Sequence, residues 1–170
     1  MFFHLNQFNK IFVCGPHRAG TTFCTHAIAM DSHKTAIDES VFRFTKLAKF
    51  EKLVLETSDC VIQCPSMLPW LPLFTGPDDM VVFMVRSIKD INASFRTSRT
   101  PQDRKIPSPP FTAEQAYRLF EKIRNCFYAA TTVNYSVLAQ HPLFIPKPER
   151  KGWHFKQIDA SGKHHATVQY

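Results

Sequence analysis

The apolar run "KIFVC" (10–14) leads directly into "GPHRAGTTF" (15–23), and this junction constrains the fold more than any other part of the chain. A buried strand that stops at a glycine turn and resumes as a helix sets a helix N-terminus at the end of a sheet. Backbone N–H groups point into such a turn and the helix dipole favours negative charge there, so the unit is an anion site. Gly15 and Gly20 let the backbone wrap closely around a phosphate. Thr21 and Thr22 add hydroxyl donors in the first helical turn.

The glycine spacing is that of the nucleotide-binding pattern GxxxxGK[ST], in which the lysine reaches the β- and γ-phosphates and the hydroxyl holds magnesium. Here Thr21 stands where the lysine belongs, and the positive charge lies two residues ahead of the second glycine, at Arg18. That arrangement suits one anionic group beside one cation better than a magnesium triphosphate.

The rest of the chain alternates strand and helix patterns. A helix is expected from Thr21 to Met30, a short strand in "HKTAID" (33–38) and one amphipathic helix over 39–56. "CVIQC" (60–64) and "MVVFMV" (80–85) read as strands, the latter a continuous apolar run typical of a parallel sheet covered on both faces. Ser87 followed by Asp90, and Thr112 followed by Gln115, are N-terminal capping signals for two further helices, the second expected over 113–130. "TTVNYSVL" (131–138) is expected as the last strand. This order predicts an α/β fold with a mostly parallel sheet between two helical layers, and ligands beyond the carboxyl ends of its strands. We expect a single domain over 1–155, a proline-rich flexible loop at 97–111 and a flexible tail at 156–170.

"GPHRAGTT" resembles the 5′-phosphosulfate loop of the sulfotransferases, relatives of the P-loop nucleoside triphosphate hydrolases, through Pro16, Arg18, Gly20, Thr21 and Thr22. Ala19 departs from the serine or glycine common there. "VVFMVRSIKDINASF" is similar to the family's 3′-phosphate element, with Arg86 at the strand end and Ser94 eight residues on. "ERKGW" echoes a late Arg-Lys-Gly tripeptide that members bring to the same phosphate, here Arg150, Lys151 and Gly152. The resemblance implies a metal-free transfer from 3′-phosphoadenosine 5′-phosphosulfate, with Gly15 to Thr22 (Gly15, Pro16, His17, Arg18, Ala19, Gly20, Thr21, Thr22) around the 5′ end of the donor.

Two family features are missing. Gln63 occupies the place of a lysine on the third strand, and Pro65 that of a histidine base. Other branches use a glutamate near the second strand, so Glu39 is the expected base, with His17 and His33 as lesser candidates, and Arg18 is expected to stabilise the leaving group. These losses keep two alternatives open, a P-loop kinase or hydrolase and a donor-binding protein without turnover.

A net charge of +7 favours anionic partners, but no aromatic-interleaved motif points to nucleic acid. The acceptor is expected to be a small molecule or a glycan, and an oligomer would help to complete its pocket. The five cysteines form no CxxC pair, and most lie in apolar runs, as in a reducing compartment; a cytoplasmic protein without a leader, membrane span or metal site is the expectation.

Overall fold

The computed structural model describes residues 1–42, 47–97 and 110–145. These form a five-stranded parallel sheet in the order β2-β3-β1-β4-β5. The strands are β1 (Lys10–Cys14), β2 (Thr35–Ile37), β3 (Cys60–Gln63), β4 (Asp79–Val85) and β5 (Ala130–Asn134). The first strand is central. Phe12 pairs with Ile62 of β3 on one side and with Val81 of β4 on the other.

The two-residue period of β1 divides the core. Ile11 and Val13 face one layer, in which α1 (Thr21–Ser32), α3 (Ile88–Thr97) and α5 (Tyr135–Leu138) supply Cys24, Ile28, Ile91 and Leu138. Phe12 and Cys14 face the opposite layer, formed by α2 (Leu47–Glu56), α4 (Ala113–Ile123) and a 3-10 segment, Pro65–Leu73. Both faces of the sheet are therefore covered, as the unbroken apolar run of β4 requires. On the second face Phe83 stacks on Phe120 at 4.1 Å between ring centroids and Phe12 meets Phe50 edge-on. Burying one such side chain contributes about 2 to 3 kcal/mol.

Three element boundaries differ from expectation. The helix expected over 39–56 is a 3-10 turn at Glu39–Val41, where the Asp38 carboxylate accepts from the Ser40 N–H, and then α2 from Leu47. The strand expected over 131–138 ends at Asn134, whose side chain accepts from the N–H of Ser136 and starts the short α5. A local side-chain cap thus overrides the β-branched run. The helix expected over 113–130 stops at Ile123, passes through a 3-10 turn and leaves Phe127 extended and buried. The two capping signals are present: Ser87 Oγ accepts from Asp90 N–H, and Thr112 and Gln115 form a reciprocal capping box.

Cys14, Cys24, Cys60 and Cys64 are buried free thiols, and Cys126 is exposed. Among the described residues no three His, Cys, Asp or Glu side chains come together as metal ligands, and no helix is long and apolar enough to cross a membrane. The segment 98–109, most of the expected flexible loop, and the expected tail lie outside the described residues.

Candidate functional site

Every strand contributes to one edge of the sheet. The glycine loop follows β1, Glu39 follows β2, Gln63 to Ser66 close β3, Arg86 follows β4, and Tyr135 follows β5. Because β1 is central, the loop lies between the groups carried by β3 and those carried by β4.

The loop closes tightly. Gly15 has φ 137°, and a Cβ there would stand 2.8 Å from the Met84 carbonyl of the neighbouring strand. Ala19 N–H donates to the Pro16 carbonyl at 3.0 Å, so this amide, expected to face the donor, is spent on the turn itself. Arg18 adopts φ 68°, a left-handed conformation that costs a residue with a Cβ about 1 kcal/mol. Gly20 has φ 95° and immediately precedes α1, whose first-turn N–H groups belong to Thr21 and Thr22.

Arg86 holds the strained residue. Its Nη1 donates to the Arg18 carbonyl at 2.9 Å, and its guanidinium carbon lies 4.1 Å from the centroid of the Tyr135 ring. The Tyr117 hydroxyl accepts from the Arg86 N–H at 3.0 Å and donates to the Arg86 carbonyl. Arg86 was expected at a 3′-phosphate; one of its terminal nitrogens donates to the backbone of the glycine loop. Its Nε–H is buried and has no partner among the described residues.

The position of the missing lysine is filled by a neutral pair. Thr21, itself buried, accepts through Oγ1 from the Gln63 amide nitrogen at 3.3 Å. The Gln63 carbonyl oxygen, also buried, has no partner among the described residues. His17 is half-buried beside Arg18, and burial foremost, then that cation, pushes its imidazole down to about 4. At neutral pH it offers the loop an N–H and no charge.

Glu39 is 2 % exposed. The N–H of Ser66 donates to its Oε1 at 2.9 Å, and the Ser66 hydroxyl donates to the same oxygen. Burial pushes the carboxyl up to about 7, against the two Ser66 hydrogen bonds, and Asp38 adds to the rise. A carboxylate poised there can accept a proton at neutral pH. His33, the lesser base candidate, is exposed at the C-cap of α1.

On the other side of the loop, Ser94 is half-buried on α3, and the ring of the adjacent Phe95 lies 5.8 Å from the Arg18 guanidinium carbon. A cleft of about 380 Å³ opens there, walled by His17, Asn92, Phe95, Phe111 and Glu114. Arg150, Lys151 and Gly152 lie outside the described residues.

Ser66, Tyr117 and Tyr135 were not anticipated. Their neighbourhoods were visible in "QCPSM", "QAYRL" and "VNY", but their partners come from elements distant in the chain.

The loop, the parallel sheet and the two helical layers define a P-loop NTPase-like α/β fold. No family model and no curated protein matches the sequence. Among solved structures, the chain is similar to shikimate kinase from Acinetobacter baumannii in complex with shikimate. The TM-score is 0.51 at 15% identity, over 82% of this chain and 93% of the kinase. At that identity the likeness is one of fold.

Proposed function

We propose that this chain is a group-transfer enzyme whose loop at Gly15 to Thr22 holds the 5′ end of an adenine nucleotide, and that the group transferred is sulfuryl. The observation that carries the choice is the buried Thr21–Gln63 pair. It sets two neutral groups where a triphosphate-binding loop needs a lysine, and so disfavours a magnesium triphosphate. A donor with one phosphate and one sulfate at its 5′ end, 3′-phosphoadenosine 5′-phosphosulfate, asks less of that position.

In this reading the acceptor's hydroxyl or amine attacks sulfur, the bond from sulfur to the bridging phosphate oxygen breaks, and adenosine 3′,5′-bisphosphate leaves. Glu39 takes the acceptor's proton. Arg18 and the first-turn N–H groups of α1 stabilise the charge left on the 5′-phosphate. Arg86 and Ser94 are assigned to the 3′-phosphate, Arg86 through a terminal nitrogen other than the Nη1 it spends on Arg18. Arg150, Lys151 and Gly152 are assigned there on the sequence resemblance. The acceptor approaches from the β2–β3 side, where Glu39 stands, and the cleft beside His17 is left to the donor.

A second reading is magnesium-dependent phosphoryl transfer by a P-loop kinase. The fold likeness to shikimate kinase favours it, and the neutral pair at the loop speaks against it.

Calorimetric titration separates the two. Adenosine 3′,5′-bisphosphate is expected to bind without magnesium, and Arg86→Ala to lose about thirtyfold or more in affinity, about 2 kcal/mol, by removing a charged contact. Tighter binding of ATP, dependent on magnesium, would replace the sulfuryl reading with the phosphoryl one.

A further inference from the structure

We propose that Arg86 is a strut that sets the shape of the phosphate loop, and that Tyr117 and Tyr135 are the positioning residues that make it one. The inference rests on the reading of the loop as an anion site. It adds two residues and a division of labour within one guanidinium.

An arginine released from the end of a strand ordinarily samples many rotamers. Here three contacts remove that freedom. The Tyr117 hydroxyl, reaching over from α4, occupies both main-chain groups of Arg86 and in effect extends the hydrogen bonding of β4 by one residue. Burial pushes the Tyr117 hydroxyl's pKa up, which keeps it a donor. The Tyr135 ring lies under the guanidinium, an attraction between cation and π face that also fixes the plane of the group. The same ring abuts the loop, for a Cβ on Gly20 would stand 2.6 Å from its Cδ2.

Nη1 is thereby aimed at the carbonyl of Arg18. That carbonyl belongs to the residue with φ 68°, and its negative end faces the arginine rather than an incoming anion. An anion loop works by presenting N–H groups, so a carbonyl directed inward would oppose the ligand. Arg86 neutralises it and supports the left-handed turn. One terminal nitrogen of the guanidinium is thus committed to the protein, and the buried Nε–H has no partner among the described residues.

Hydrogen exchange of the full chain without ligand tests the strut. The probe is the Ala19 amide, which closes the loop onto Pro16, with amides of β1 and β4 as internal standards. Tyr135→Leu and Tyr117→Phe are expected to speed exchange at Ala19 about tenfold while the strand amides hold their rates. Tyr135→Phe keeps the ring face and is expected to behave as wild type. Wild-type rates at Ala19 in both Tyr135→Leu and Tyr117→Phe would overturn the proposal. So would acceleration shared equally by loop and strands, or a Tyr135→Phe as fast as Tyr135→Leu. Because no nucleotide enters this measurement, its failure is distinct from that of the donor reading, which the bisphosphate titration decides.

Discussion

Arg86 and Glu39 stand just beyond β4 and β2, on either side of the central loop, and the protein restrains them in opposite ways. Arg86 is held by three neutral partners spread over the chain: the Tyr117 hydroxyl, the Tyr135 ring and the Arg18 carbonyl. Among the described residues Glu39 is held by one, Ser66, in a place almost closed to solvent. On the β4 side the surroundings fix where a charge sits. On the β2 side they alter whether the charge exists, because burial outweighs the two Ser66 hydrogen bonds and lifts the carboxyl to about 7. A binding group needs the first kind of restraint and a proton acceptor the second, so the two surroundings suit the different roles proposed for the two charges.

The sharpest break in this comparison would come from Gly20→Ala. The new methyl needs φ 95° and would stand 2.6 Å from the Tyr135 ring, so it strikes the strut and the loop together. Left-handed strain and overpacking together are expected to cost about 3 to 4 kcal/mol in urea denaturation. A variant as stable as wild type would mean that the ring does not bear on the loop.

Glu39→Gln probes the other side through pH. A carboxyl whose pKa is raised on folding, here to about 7 from its ordinary 4.5, keeps an extra proton in the native state between those values. Native stability is therefore greatest below the unfolded value and falls as pH rises through the folded one, by about 3 kcal/mol in all. Denaturation curves between those limits should show that decline in wild type and a flatter profile in Glu39→Gln. Parallel profiles would place the titration elsewhere.

Ser66→Ala is the smallest change, about 1 kcal/mol for one hydroxyl hydrogen bond. Its direction is more telling than its size. The Ser66 hydroxyl favours the ionised form, so its loss should move the midpoint of the pH-dependent decline upward. A midpoint that moved down or stayed put would remove Ser66 from the control of Glu39.

Much of the fold was legible because the relevant signals are local. The apolar runs of β1, β3 and β4, the glycine turn and the Thr112–Gln115 box each declare themselves within a few residues. The Asn134 cap was equally local, but β-branched Thr131, Thr132 and Val133 beside it suggested a longer strand. At the site, the sequence pointed to Arg86 and Glu39 without showing how they are held. Tyr117 stands 31 residues from Arg86, and Ser66 27 from Glu39. Both pairings depend on how layers stack on the sheet, and no short window carries that. The Thr21–Gln63 contact is of the same kind, since it exists only because β1 and β3 are neighbours.

The strut also orders events in time. The glycine loop is encoded near the start of the chain, but the ring that braces it follows β5, the last strand among the described residues. A chain growing from its N-terminus makes residues 15–22 early and completes their support only after residue 135 has emerged. Until then the loop has its glycines and its helix start but lacks the brace on its strained turn. Completion of the braced loop is in this way a report that the whole sheet has assembled, and a nascent or truncated chain lacking β5 and Tyr135 would have a loop without its brace.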